Sequence, residues 1–259
     1  MYRTIIAERD GRVGRVWFNR PEVRNAFNAD MIGELRAALG DLADDAAVRV
    51  IVLSGKGTSF CAGADLAWMR DIVRFSEEQN MRESLDLAEC LYDVYAVPKP
   101  TIARVNGPAI GGGTGFVSAC DIAVASTEAR FGLSEVKIGV VPAAISPYVL
   151  RRIGESRARQ YFLTGERFDA RRAQEIGLVN IAVEPAELDP KVEELVSSLL
   201  SSGPEALAKA KELLTRVPGM GFAEAKRYTA EMIAGLRMSA EAQEGMAAFL
   251  DRRKPKWSE

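Results

Sequence analysis

Residues 101–126 read TIARVNGPAIGGGTGFVSACDIAVAS. A short apolar run at 101–107 leads into the glycine-rich PAIGGGTG (108–115), then FVSACD, then a second apolar run, IAVAS, at 122–126. Short apolar runs bounded by turn residues are the signature of strands buried on both faces. A helix between two of them makes a parallel crossover. The stretch therefore predicts strand, glycine turn, helix and strand.

The same order recurs outward from it. VRVIVLSG (48–55) is another buried strand, followed by a second glycine-rich loop, GKGTSFCAGAD (55–65). Upstream, residues 2–9 and 13–18 flank Asp10-Gly11, a hairpin-turn dipeptide. Residues 28–45 predict a helix capped by Asn28, with Met31, Leu35, Ala38, Leu39 and Leu42 as its apolar stripe. A long helix over 76–97 stops before Pro98. Downstream come a β-like run at Arg130–Leu133, helical segments near 146–163 and 169–177, and a strand at LVNIAV (178–183). Strands alternating with helices give the α/β class, and both a doubly wound sheet and a spiral satisfy this order. From about residue 190 the strands stop, and 191–202, 204–217, 221–237 and 240–253 read as helices. We divide the chain into a core, 1–200, and a helical region, 201–259. No flexible linker separates them, so the second is expected to pack as an appendage, its apolar faces closing the core or meeting another subunit.

Composition excludes more chemistry than any motif. The 259 residues include no histidine, which removes Ser-His-Asp and Cys-His systems, histidine metal clusters and an imidazole base. Proton transfer falls to Asp, Glu, Lys, Tyr, Cys or water. Cys61, Cys90 and Cys120 stand far apart without metal-ligand spacing, as reduced thiols in a cytoplasmic protein do. No metal site is expected. The net charge of −2 lacks the basic excess of a nucleic-acid binder, and neither a signal peptide nor a membrane span is read.

Both glycine loops, SFCAGADL (59–66) and NGPAIGGGTG (106–115), follow a buried strand and lead into a helix. Helix starts present unpaired N–H groups, and two converging on one point make an oxyanion hole; the glycines alone also fit tight turns. Neither loop has phosphate-binding GxxxxGK[ST] or GxGxxG spacing. Glu135, amid apolar residues in FGLSEVKIGVVP, is either a proton shuttle with a raised pKa or a solvated carboxylate beside Lys137. Asp65 and Asp121 read as capping or loop-holding carboxylates. The basic tail DRRKPKW (251–257) reads as a solvated end or a phosphate grip.

Seven segments in order, NRPEVRNAF (19–27), SFCAGADL, PKPTIARVNGPAIGGG (98–113), CDIAVAS, FGLSEVKIGVVP, LTGERFDARRAQEIGLVN (163–180) and FLDRRKPKW (249–257), resemble the enoyl-CoA hydratase/isomerase, or crotonase, family. The resemblance covers nearly the whole chain. It implies a spiral of ββα repeats with a C-terminal helical trimerisation region, forming a homotrimer or homohexamer. It further implies an acyl-CoA thioester substrate, with coenzyme A present as part of that substrate and no tightly bound cofactor. By position, the N–H groups of Ala64 and Gly112 would hold the thioester enolate, with Glu135 as acid/base. Arg24, Asn25, Ala26, Ala62, Asp65 and Leu66 would line coenzyme A, and Arg253 or Lys254 would reach a phosphate, in the same or a neighbouring subunit.

One position departs from the pattern. Family hydratases place a first glutamate two residues after the GGG run, where this chain has Gly115, so Glu135 would act alone or with Thr114, Ser118, Ser146 or water. A branch of the family, the bacterial 3-methylglutaconyl-CoA hydratases, resembles this chain in SFCAGADLAWMR, GGGTGFVSACD and LSEVKIGVVPAAISPYV. The implied reaction hydrates 3-methylglutaconyl-CoA, or dehydrates 3-hydroxy-3-methylglutaryl-CoA, in leucine-type branched-chain (isovaleryl-CoA) catabolism. The distal carboxylate of that substrate calls for a cation, for which Arg70 and Arg74 are the candidates, with Trp68, Met69, Gly115 and Ser146 shaping the pocket. A Δ3,Δ2-enoyl-CoA isomerase using Glu135 alone, or a non-catalytic acyl-CoA-binding protein, are the alternatives.

Overall fold

The structure, a computed structural model, describes residues 2–258. It opens with a hairpin of β1 (Ile5–Asp10) and β2 (Val13–Phe18), turned at Gly11 with φ 58°. Helix α1 (Ala29–Asp44) follows; the Asn28 side chain accepts the Met31 N–H at 3.0 Å, and the expected stripe is buried. Strand β3 (Val50–Gly55) then leads through the first glycine loop to α2 (Leu66–Ile72) and α3 (Glu77–Ala96), the latter capped reciprocally by Ser76 and Gln79. The second turn of the spiral is β4 (Thr101–Val105), β5 (Ala109–Ile110) and α4 (Gly112–Ala119). The third is β6 (Ile122–Ser126), β7 (Arg130–Gly132) and α5 (Ser146–Thr164). Strand β8 (Arg167–Asp169), α6 (Ala170–Glu175) and β9 (Ile181–Val183) close the core.

The large sheet has the order β1-β2-β3-β4-β6-β9, antiparallel only between β1 and β2. A second, smaller sheet runs β5-β7-β8 and is extended by single bridges, Cys61 to Ala109 and Phe27 to Ala64. Each turn thus lays one long strand in the large sheet and one short stretch in the small one before its helix. This is the ββα spiral, not a doubly wound sheet. Its core lies between the sheets and α1, α3, α4 and α5, with Phe18, Phe60, Phe116 and Phe131 wholly buried.

Two expectations shift. Of the LVNIAV run only Ile181–Val183 is strand, because Gly177, at φ 86°, ends α6 and the Leu178 and Val179 N–H groups turn back to the Ala173 carbonyl. The helix near 146–163 carries a break at Gly154, with φ 73°.

Helix α7 (Leu188–Leu200) sets Leu188, Val192 and Val196 against Val13, Val50, Val52, Ile102 and Val124 on the outer face of the large sheet. After it come α8 (Pro204–Arg216), α9 (Phe222–Arg237) and α10 (Ala240–Leu250). Their hold on the core includes buried Lys211, whose ammonium donates to Asp121 at 2.7 Å and to the Lys99 carbonyl at 3.2 Å. Asp121 also accepts the Thr101 N–H and hydroxyl, so it holds strand β4 as well as the appendage. Phe222, Met238, Phe249 and Leu250 are almost fully exposed. Among the described residues no helix is long and apolar enough to cross a membrane.

A charged hydrogen bond of this kind contributes about 1.5–3 kcal/mol. Lys211→Met is therefore expected to lower the urea-unfolding free energy by that order, whereas Lys209→Met, in an exposed pair with Glu212, should change it by less than about 0.5 kcal/mol.

Candidate active site

The first glycine loop is held from below by Asn25, whose amide donates to the Lys56 and Ser59 carbonyls at 2.8 Å each and accepts the Arg20 N–H at 2.9 Å. Arg20 in turn donates to the Ala26 carbonyl at 2.5 Å and to Asp65 at 2.7 Å. Burial opposes charge on Asp65, but Arg20 and the Ala67 and Trp68 N–H groups outweigh it and hold the carboxyl below its usual range. So anchored, Asp65 caps α2.

Two backbone bonds bracket Ala64: the Phe27 N–H donates to the Gly63 carbonyl and the Asp65 N–H to the Phe27 carbonyl. The Ala64 N–H between them has no acceptor among the described residues. Gly112 is the first residue of α4, so its N–H also lacks an intrahelical partner. The preceding Gly111 donates to the Gly132 carbonyl at 2.8 Å and has φ 54°; a Cβ there would sit 3.0 Å from Glu135 Oε1. The strand ends thus bring Ala64, Gly111, Gly112 and Glu135 to one edge of the small sheet.

That edge borders a cavity of about 500 Å³. Phe27, Ala64, Trp68, Leu87 and Ile110 form much of its apolar wall, and the segment Val140–Ile145 another. Trp68 meets the Phe27 ring edge-on at 5.7 Å. Glu135 Oε2 is buried there with no hydrogen-bond partner. Burial pushes the Glu135 carboxyl above its ordinary pKa, its own backbone N–H opposing only in part. Its buried Oε2 makes no hydrogen-bond contact with Lys137, which is exposed. Nearby Cys61 is no nucleophile: burial pushes its thiol up to about 12.

Backbone donors left without acceptors on the wall of a cavity that also holds a buried carboxylate oxygen suit a substrate whose carbonyl gathers negative charge while a proton moves at the adjacent carbon. The profile of the enoyl-CoA hydratase/isomerase family matches residues 8–259. The chain belongs to this family. It is 34% identical over 256 residues to a crotonyl-CoA hydratase of Syntrophomonas wolfei, covering 98% of this chain and 97% of that one. It superimposes on an enoyl-CoA hydratase of Shewanella pealeana with TM-score 0.95 at 38% identity, covering 98% and 96% of the two chains. Pseudomonas aeruginosa AtuE superimposes with TM-score 0.96 at 36% identity over 99% and 100%.

Within this family member, Ala62, Ala64, Leu66, Trp68, Met69, Gly112 and Glu135 line the cavity. Other expected residues stand elsewhere. Arg70 and Arg74 are exposed and do not line it, because α2 turns Trp68, Met69 and Ile72 inward and leaves Arg70 on the opposite side. Gly115 lies behind the wall, where a Cβ would meet Ile145 Cγ2 at 2.1 Å. Ser146 gives its hydroxyl to the Ala143 carbonyl, Thr114 to Ala109 and Ser118 to Thr114, so none of the three faces the site. Arg24, Asn25, Ala26 and Asp65 shape the loop rather than the cavity wall; the Arg24 carbonyl accepts the Ala62 N–H. Arg253 and Lys254 line a separate recess with Arg12, Ser197 and Ser201. Among the described residues no group of three or more His, Cys, Asp or Glu is placed to hold a metal.

Sequence reasoning missed Arg20, Glu83 and Arg167. Arg167 starts β8, paired with Gly132, and its exposed side chain lines the cavity rim. Its signal was the LTGERFDA segment, read for family resemblance rather than for a strand.

The raised Glu135 pKa makes a pH-dependent prediction. The folded chain keeps a proton there at a pH where the unfolded chain has lost it, so this carboxyl's contribution to stability falls as pH rises above the ordinary carboxylate range. Glu135→Gln should raise the Tm at about pH 7.5 and leave it unchanged near pH 4, a contrast that scanning calorimetry reads directly.

Proposed function

We propose that the protein hydrates a branched 2-enoyl-CoA that carries a distal carboxylate, 3-methylglutaconyl-CoA being the type case, and runs in reverse as dehydration of 3-hydroxy-3-methylglutaryl-CoA. The observation that carries the reading is the Glu135 carboxyl, its Oε2 buried without a partner, in the cavity bordered by the unpaired Ala64 and Gly112 N–H groups. The thioester oxygen would sit between the two N–H groups, which strengthen their bonds as enolate charge develops. Glu135, whose pKa burial raises, delivers the proton to the α-carbon or removes it in the reverse direction. Arg167 supplies the cation for the distal carboxylate, taking the role for which α2 offers no inward arginine. The apolar lip of Leu66, Ile138 and Val141 would cover the pantetheine arm. Coenzyme A enters as part of the substrate.

A specific observation favours the second reading, Δ3,Δ2-isomerisation: Ile145 fills the space beside Gly115, leaving Glu135 as the one carboxylate directly at the N–H pair. Isomerisation conserves mass, whereas hydration adds one water. The exposed apolar residues of α9 and α10 further support self-association of 201–259 into a trimer or pair of trimers. Three buried thiols suit a reducing, cytoplasmic setting.

The deciding assay follows loss of 2-enoyl thioester absorbance with 3-methylglutaconyl-CoA beside crotonyl-CoA, with product mass measured in parallel. Hydration with preference for the carboxylated substrate is expected. Glu135→Gln should lower kcat about 10²–10⁴-fold. Arg167→Met should erase the preference by raising KM for the carboxylated substrate about tenfold while leaving crotonyl-CoA near parent values. Preference for crotonyl-CoA in the parent would remove the distal-carboxylate assignment and keep the hydratase.

A further inference from the structure

Glu83 is a second carboxylate in the same cavity, and it comes from a helix that carries no part of either glycine loop. Asn80, Glu83, Ser84 and Leu87 all line the space. Their spacing of three, four and seven residues puts them on one face of α3. That face of α3, polar over three of its four residues, turns toward a largely apolar ligand cavity. The Glu83 side chain is held: Trp68 Nε1 donates to its Oε2 at 3.2 Å. The indole packs on Phe27, and Phe27 in turn fills the space beside Gly112, where a Cβ would come within 2.5 Å of the ring. One aromatic chain therefore links the carboxylate to the oxyanion strand end. Glu83 forms no ion pair among the described residues. The single indole bond leaves carboxylate lone pairs for water.

We propose that Glu83 is the water-activating base of the hydration reaction, replacing the carboxylate that Gly115 cannot carry. The proposal rests on the hydration reading. The water sits among Glu83, Asn80 and Ser84. Glu83 takes one of its protons as its oxygen bonds to the β-carbon of the enoyl thioester. The π electrons of the double bond pass to the thioester oxygen, held by the Ala64 and Gly112 N–H groups. Glu135 then gives its proton to the α-carbon. One water is consumed, and the proton now on Glu83 returns to Glu135 through solvent. In the reverse direction Glu83, protonated, gives its proton to the departing hydroxide.

Two reactions separate the carboxylates. Hydration of 3-methylglutaconyl-CoA and crotonyl-CoA needs both, whereas exchange of the α-protons of butyryl-CoA in deuterated buffer needs only Glu135 and the oxyanion hole. Glu83→Gln is expected to lower hydration kcat about 10²-fold or more and to leave exchange within about threefold, while Glu135→Gln loses both. Glu83→Asp should recover part of the hydration rate, and Trp68→Phe, which removes the indole donor, should lower kcat more than it raises KM. Glu83 is half-buried on a helix flank, so Glu83→Gln should keep the parent Tm, which is measured alongside. Hydration within threefold of the parent in Glu83→Gln would overturn the proposal, as would loss of hydration and exchange together. A parent that exchanges α-protons but adds no water would instead sink the hydration reading, and this role of Glu83 with it.

Discussion

Everything at the site hangs on a short ladder of backbone pairs: Phe27 with Ala64, Cys61 with Ala109, and Ala109–Ile110 with Phe131–Gly132. Buried backbone groups are nearly always paired, so every amide the ladder leaves over is conspicuous. Those of Ala64 and Gly112 are left over because the chain leaves the ladder at Ala64 and begins a helix at Gly112. No side chain is needed to make them donors. What is needed is rigidity around them, and Asn25, Arg20 and Asp65 supply it by tying the segment before α1 to the first glycine loop.

The same ladder sets the electrostatics. Beyond β7 the chain enters a short 3-10 turn whose first residue is Glu135, so the carboxylate is delivered to the amide pair by topology, not by a charged partner. An unpaired buried oxygen is unfavourable for folding. The large cores on both faces of the main sheet offset it. By contrast Asp65, almost as close in sequence to the cavity, is fully partnered and kept ionised. Two carboxylates a few residues from the same ligand space are thus given opposite protonation tendencies by their neighbours.

Local signals made much of this legible. The hairpin, the Asn28 cap and the buried strands each rest on a few adjacent residues, and the order of motifs carried the spiral and the two N–H positions. The two- and three-residue strands β5 and β8 were not readable, since they are too short to show alternation and exist through pairing with β7. That gap also hid which arginines border the cavity: Arg167 reaches its rim through β8, and Arg70 is kept off it by the phase of a seven-residue helix. Glu83 lies in a helix rich in charge, where a face turned to a cavity and a face turned to water have the same composition. The Asp65 cap was legible as a loop-holding carboxylate, whereas the loop-bracing role of Asn25 was hidden, because a buried amide clamp and a ligand contact call for the same residue type.

The contact between Gly115 and Ile145 also shapes how such an enzyme can change through mutation. A lone Gly115→Glu replacement would drive a side chain into Ile145 Cγ2 and on toward Leu91, both in the core. A lone reduction of Ile145 would open a void with nothing to fill it. Each step is deleterious before the other has occurred, so the two positions are epistatic. A lineage with this pairing is separated from the two-glutamate arrangement by a fitness valley, and its chemistry is free to diversify on its own side of it.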